Sequence, residues 1–212
     1  MRKLIALTLI VIMVSVSAGI ATYAWYTSSA TSTDNTFISG TVLITNSSQY
    51  PTPLFSSNEN DMWFVKYWYP GLDTANIAGQ DRHIVIKNGG SLKARVEGIS
   101  ATAAFYTVDP QNPSERIHAS ADAAKEFKES LIVTVLDDTR ANTLYTGTLA
   151  DLMQDGYKKL NSNVLLQTSG SFNQTRLFFN VKMSEAAGNE IQGVTADVDI
   201  VIHATQEHAP IN

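Results

Sequence analysis

Two stretches near the end of the chain alternate between apolar and polar residues, and this alternation constrains the fold more than any other feature. Residues 176–183 and 196–204 each place one apolar side chain at every second position. The apolar sets are Leu177, Phe179, Val181 and Met183 in the first stretch, and Val198, Ile200, Ile202 and Ala204 in the second. A period of two is typical of an antiparallel strand with one face buried and one face in water. Both stretches are therefore predicted to be strands.

Short β-branched and aromatic runs recur through the rest of the chain, at residues 41–44, 62–69, 83–87, 93–97, 131–136 and 163–166. Turn-forming residues separate them, as in Pro70-Gly71, Asn88-Gly89-Gly90 and Gly188-Asn189. Helical spacing of apolar residues predicts two helices, Ser120–Ser130 and Thr148–Leu160, although Gly156 weakens the second. About eight strands with one or two inserted helices predict a mostly β protein, a two-sheet sandwich of jelly-roll type over residues 37–212.

The first 24 residues have the order of a secretory signal peptide. Arg2 and Lys3 precede an uncharged apolar run from Leu4 to Ile20, and small residues lead to Ala24. Cleavage after Ala24 would start the mature chain at Trp25. A retained membrane anchor and a type IV pilin, which is cut before its apolar stretch, are the alternatives. The small residue at position 24 and the polar stretch after it favour removal, and hence an extracellular protein with no membrane contact after processing.

Charge and cysteine content exclude several classes of function. Loss of Arg2 and Lys3 with the signal lowers the basic count from 15 to 13, against 20 acidic residues. An acidic chain is a poor partner for nucleic acid or anionic membrane, since both require basic surface. The chain has no cysteine, which excludes a cysteine nucleophile and thiolate metal sites.

Residues 25–36 combine two aromatic residues with small polar ones. The candidate donor residues lie shortly before Phe37. They are Trp25, Tyr26, Thr27, Ser28, Ser29, Ala30, Thr31, Ser32 and Thr33. Such a stretch buries too little apolar surface to offset its own ordering entropy. It is either a linker or a strand that becomes ordered only when it meets a partner.

Several motifs resemble the TasA/camelysin family. Ala24-Trp-Tyr-Thr-Ser-Ser, followed by Asp34-Asn-Thr-Phe-Ile-Ser-Gly-Thr-Val-Leu-Ile44, resembles the mature start of that family, where an aromatic residue precedes a TFxxGTLxL strand. Tyr69-Pro-Gly71 and Ile86-Lys-Asn-Gly-Gly-Ser-Leu92 resemble its PGD and NNGSL motifs. Gln192-Gly193 and Ile202-His-Ala-Thr-Gln206 resemble its last strand. The resemblance covers both ends of the chain and leaves out residues 105–170.

The resemblance implies a jelly-roll subunit of extracellular fibres in bacterial biofilms, similar to the bundling pili of some archaea. In such fibres the N-terminal segment of one subunit completes the sandwich of the next. Strand addition uses main-chain hydrogen bonds for affinity and alternate side chains for specificity. Residues 25–36 would then be the donor strand, with Trp25 and Tyr26 as anchors. The partners would be identical subunits of a homopolymer, with lateral contacts to neighbouring filaments and roles in adhesion, bundling or biofilm.

Catalysis has little support in the sequence. None of the four histidines, His83, His118, His203 and His208, lies in an H-E-x-x-H motif. Asp197, Asp199 and His203 share one strand face, which we interpret as solvated and without a metal. Asp137-Asp138 is interpreted as a turn. We expect that the protein is not an enzyme, that it has no catalytic residue and that it binds no cofactor.

An aromatic cluster and two sequons are further candidate functional features. Five aromatic residues are clustered, namely Trp63, Phe64, Tyr67, Trp68 and Tyr69. We interpret them as core packing plus a covered sheet face, in preference to a sugar or protein docking surface. The sequons at Asn46 and Asn173 are candidate glycosylation sites in an exported archaeal protein. The function is therefore either a fibre subunit assembled by strand donation or, alternatively, a secreted camelysin-like metalloprotease or monomeric surface binding domain.

Overall fold

A computed structural model describes most of the chain after residue 68 and a few short segments before it. The described residues are 27–31, 44–46, 54–55, 60, 63, 65, 68–79, 81–108, 111–112 and 115–207. The predicted signal peptide, residues 1–24, lies outside them. No helix in this part of the chain is long and apolar enough to cross a membrane.

Ten strands and two α-helices form the described structure. The strands are β1 Thr27–Thr31, β2 Ile44–Asn46, β3 His83–Asn88, β4 Ala94–Val108, β5 Arg116–His118, β6 Leu131–Leu136, β7 Thr143–Thr148, β8 Lys158–Leu166, β9 Gln174–Met183 and β10 Thr195–Gln206. The helices are α1 Ala121–Ser130 and α2 Leu149–Leu152. Three short 3₁₀ turns, Thr74–Asn76, Ser171–Asn173 and Asn189–Ile191, lie between them.

The strands form two antiparallel sheets. Sheet I has the order β1-β10-β4, with β8 and β5 pairing with β4 at different positions along it, and sheet II has the order β2-β3-β9-β6-β7. If the short strands β2 and β5 are left aside, the remaining strands pair in a nested order along the chain. The pairs are β1 with β10, β3 with β9, β4 with β8, and β6 with β7. This is the winding of a jelly roll, in which first pairs with last and second with next-to-last. The predicted mostly β sandwich is confirmed.

The core lies between the two sheets, and the alternating residues supply it. Leu177, Phe179, Val181 and Met183 of β9 are all buried, as the alternation predicts. On β10 the same holds for Ile200, Ile202 and Ala204. Burying one such large side chain contributes about 1.5–3 kcal/mol. Val198 is the exception, since it shares the core-facing side of β10 but remains 38% exposed.

The helices follow the prediction in one case and depart from it in the other. In α1 the Ser120 hydroxyl accepts a hydrogen bond from the Ala123 N–H at 3.2 Å, and Phe127 packs edge-on against Phe105 of β4. The predicted helix Thr148–Leu160 is wrong beyond its first turn. Helix α2 ends at Leu152, Gly156 has a φ of +83°, and β8 begins at Lys158. The left-handed Gly156 lies in the turn after the helix, and pairing with β4 begins at Lys158.

The aromatic segment 62–69 is not a strand in its described residues, so that prediction is wrong there. Trp63 is buried, with its ring edge-on to the ring of His83, and Trp68 packs near Phe55. Tyr69 is exposed, whereas Phe64 and Tyr67 lie outside the described residues. Trp63 and Trp68 therefore pack on the sandwich, as the preferred interpretation of the cluster holds.

Candidate assembly site on the edge of β10

Strand β10 runs through sheet I between β4 and β1. All twelve of its residues, Thr195–Gln206, have a partner residue on β4. On its other side it pairs antiparallel with β1, from Thr27 opposite Thr205 to Thr31 opposite Val201. Among the strands that the structure describes, β1 is the outermost one of sheet I and pairs with β10. Removing β1 would leave the backbone of β10 without its outer partner.

The register assigns each β1 residue to one face of the sheet. Residues directly opposite each other in an antiparallel pair lie on the same face. Ser28 and Ala30 are opposite Ala204 and Ile202, and so lie at core-facing positions. The other three β1 residues lie on the outer face. The core-facing positions of β1 thus carry only small residues.

The predicted donor segment is described only in its middle. Thr27, Ser28, Ser29, Ala30 and Thr31 form the strand β1. Their role as a donor strand to a neighbouring subunit stays a prediction. Trp25, Tyr26, Ser32 and Thr33 lie outside the described residues. The strand that accepts β1 is the chain's own β10.

A network of side chains covers the outer face of β10 beside β1. The ring of His203 stacks on the ring of Tyr157 with centroids 4.8 Å apart, and its Nε2 lies 2.8 Å from the Ser100 hydroxyl. The Tyr157 hydroxyl donates to Glu97 at 3.1 Å, and the Thr205 hydroxyl donates to the same carboxylate at 2.8 Å. This network connects β10, β4 and the residue that precedes β8.

Gly98 makes room for that network. It lies opposite His203, and a Cβ placed on it would overlap the Tyr157 ring and the Lys158 carbonyl. Only a glycine therefore lets the Tyr157 ring lie over the sheet and reach His203.

The interpretation of Asp197, Asp199 and His203 as a solvated face is correct only in part. Asp199 is exposed, and Asp197 forms an exposed 3.0 Å ion pair with Arg116. His203 is half-buried instead, and its burial lowers its pKa below the usual 6.5. Burial first, and then the bond to Glu97, raise the pKa of Tyr157.

The remaining candidate residues lie apart from this edge. His83 Nδ1 lies 2.7 Å from the Asp81 carbonyl, His118 stacks on Tyr106, and His208 lies outside the described residues. Among the residues that the structure describes, no group of three histidine or acidic side chains is placed to hold a metal ion. Asp137 lies in the connection between β6 and β7, where it accepts bonds from Thr139 and Asn142, as a turn residue does.

The two sequons occupy different surroundings. Asn46 ends β2 and is exposed, whereas Asn173 is half-buried in the 3₁₀ turn before β9. Because a glycan needs an outward-facing asparagine, Asn46 is the better placed of the two.

The comparisons with known proteins found no match: no protein-family model and no curated protein matches this chain. The fold and the edge geometry define the class. It is an antiparallel jelly-roll sandwich in which the first described strand, β1, lies at the outside of the described sheet I, beside the last described strand, β10.

Proposed function

We propose that this chain is the structural subunit of an extracellular filament in which the N-terminal segment of one subunit pairs with the β10 edge of the next. The observation that carries the proposal is the pairing of β1 with β10 at the outside of sheet I. An element held at one edge by backbone pairing can make the same bonds with an identical neighbour, as in domain swapping. Because donor and acceptor surfaces differ, the exchange repeats and builds a polymer.

The chain on the C-terminal side of β1 is long enough for exchange. Twelve residues, 32–43, separate Thr31 from Ile44 of β2. Fully extended, they span about 40 Å, which exceeds the width of a small sandwich. A β1 strand can therefore reach the β10 edge of an adjacent subunit while the rest of its own sandwich stays intact.

The acceptor edge also requires a partner. A bare β10 would offer a row of unpaired backbone groups beside core residues Ile202 and Ala204, a template for uncontrolled association. A dedicated donor strand satisfies these groups in a defined register.

The setting of the filament follows from the sequence resemblance and the predicted signal peptide. We propose cell-surface or biofilm-matrix fibres, identical subunits as the principal partners, lateral contacts between filaments, and no enzymatic role. The alternative of a metalloprotease receives no favourable observation from the described residues.

Electron microscopy of purified mature protein tests the proposal. A variant whose residues 27–31 are replaced by Gly-Ser-Gly-Ser-Gly should remain folded but form no filaments, because its three glycines disfavour a strand. The control, Thr27→Val with Thr31→Val, changes only outer-face positions to strand-favouring residues and should polymerise. Normal filaments from the Gly-Ser variant would overturn strand donation.

A further inference from the structure

The Asn88 side chain connects the two sheets at one end of the sandwich. Asn88 is the last residue of β3 in sheet II and is 1% exposed. Its Nδ2 donates to the carbonyls of Leu92 at 2.8 Å, Gln167 at 3.2 Å and Leu166 at 3.4 Å. Its Oδ1 accepts from the Gly90 N–H at 2.9 Å. Because Leu166 ends β8, which pairs with β4 in sheet I, these bonds join β3 to the opposite sheet.

These bonds require an amide at position 88. The NH₂ group is the only part of an asparagine side chain that donates, so it is the part that can face carbonyl oxygens. An ionised carboxylate only accepts, and in this place it would hold a negative oxygen against three carbonyl oxygens with no proton between them. Burial adds to the cost, because an unpaired charge is costly away from water. Aspartate is therefore strongly disfavoured here although it has the shape of asparagine.

The residue after Asn88 makes this amide chemically labile. Asn88-Gly89 is the one Asn-Gly pair in the sequence. The Gly89 backbone nitrogen can attack the side-chain carbonyl carbon of Asn88. A C–N bond then forms, the bond to Nδ2 breaks, and the amide leaves as ammonia with the Gly89 proton. Water opens the resulting succinimide to aspartate or isoaspartate. Glycine favours the ring closure because it has no Cβ to hinder the approach.

The folded structure opposes this reaction at its leaving group. Ring closure requires the Asn88 amide to turn back onto its own backbone, and Nδ2 must then lose its bonds to the Leu92 and Gln167 carbonyls. The backbone of Asn88 is also held, since it pairs with Ile44 of β2. The reaction must therefore wait until this end of the sandwich opens, and the opening of a packed region costs free energy.

We infer that Asn88 is a modification site, at which deamidation by water marks a chain that has opened at this end and then disfavours its closure. An aspartate product would face the three carbonyl oxygens. An isoaspartate product would add a methylene to the main chain and shift the register of β3 against β2. Either product weakens the connection between the sheets. The inference concerns the folding of the subunit and is independent of strand donation.

Deamidation kinetics of the full chain test the first step. The protein is incubated at mildly alkaline pH, folded or unfolded in guanidinium chloride, in water labelled with heavy oxygen, so that only product formed during the incubation carries the label. Mass spectrometry of the tryptic peptide 88–93, which lies between Lys87 and Ala94, measures the labelled product. We expect the folded protein to react about a hundredfold more slowly or less, which corresponds to about 2.8 kcal/mol for the opening. Equal rates in the two states would overturn the inference.

Gly89→Ala is the matched control, at a position that is exposed in the structure. The variant keeps the Asn88 side chain but adds a Cβ that hinders the attacking nitrogen. Its unfolded chain should form labelled product several-fold more slowly than the unfolded wild type. The same rate in both unfolded chains would show that the reaction does not pass through the Gly89 nitrogen, and the inference would fail.

Protease resistance of a partly deamidated sample tests the second step. Wild-type chains are left unfolded until part of Asn88 has reacted, refolded, and then exposed to a brief protease pulse over a series of guanidinium chloride concentrations. Chains that carry the label at position 88 should lose resistance at lower denaturant than unlabelled chains in the same tube, because they lack the bonds to Leu92 and Gln167. Loss of resistance at the same concentration would show that this site tolerates a carboxylate, and would overturn the inference.

Discussion

A peptide that replaces the missing donor segment should restore stability to a truncated chain. Deleting residues 25–34 removes β1 and its five residue pairs with β10. Hydrogen bonds contribute about 0.5–1.5 kcal/mol each to stability, whereas ordering each backbone residue costs about 1–2 kcal/mol. The two terms nearly cancel over five residues, so the truncated chain should fold, with the buried residues of β9 untouched.

A synthetic peptide of residues 25–36 should then raise the melting temperature in a concentration-dependent way. A ligand that binds only the folded acceptor, at 100 times its Kd, stabilises it by about 2.7 kcal/mol. For a chain of this size, 1 kcal/mol corresponds to about 2–4 °C, so we expect a shift of about 5–10 °C. Thermal unfolding followed by circular dichroism over a peptide series measures this shift.

A proline-containing peptide is the matched control. Adjacent N–H groups of a strand point to opposite sides, so Ser29→Pro with Ala30→Pro must remove at least one bond to β10. This peptide should cause little or no shift. Equal shifts with both peptides, or no shift with the native peptide at any concentration, would refute the reasoning that β10 accepts a backbone-paired strand.

Three further outcomes are expected. Mass spectrometry of the extracellular form should give a mature N-terminus at Trp25, and a protein that retains residues 4–20 would contradict the signal-peptide prediction. Gly98→Ala should cost about 1–3 kcal/mol in urea denaturation, because its Cβ overlaps Tyr157, whereas the exposed Thr102→Ala on the same strand should be near neutral. Burial lowers the pKa of His203, so the unfolded chain binds the proton more readily, and stability should fall as pH drops through about 6.5 towards the folded-state pKa. That dependence should be absent in His203→Gln, and identical pH profiles for the two proteins would contradict the assignment.

The candidate site could be predicted only in outline. The low apolar content of residues 25–36 indicated either a linker or a strand in need of a partner, and Thr27–Thr31 form a strand. The acceptor strand and its register could not be read from the sequence, because they depend on which strands are adjacent in space. The half-buried state of His203 depends on Tyr157, which is distant in sequence and reaches it only across Gly98.

By itself, the sequence determined the elements whose signal is local. Alternation defined the buried faces of β9 and β10, and the spacing of Ala123 and Phe127 after the cap at Ser120 defined α1. Each of these signals depends on residues that lie within a few positions of one another in the sequence. Such patterns specify a face before any partner is chosen.

The tertiary structure decided the elements that exist only through their partners. Strands β5 and β7 lack a strong alternating pattern and form by pairing with β4 and β6. The aromatic segment 62–69 has high strand propensity, yet Gly71, Leu72 and Arg82 supply the backbone partners of β9 in that region. A strand is completed by hydrogen bonds to another segment, so propensity alone cannot fix it.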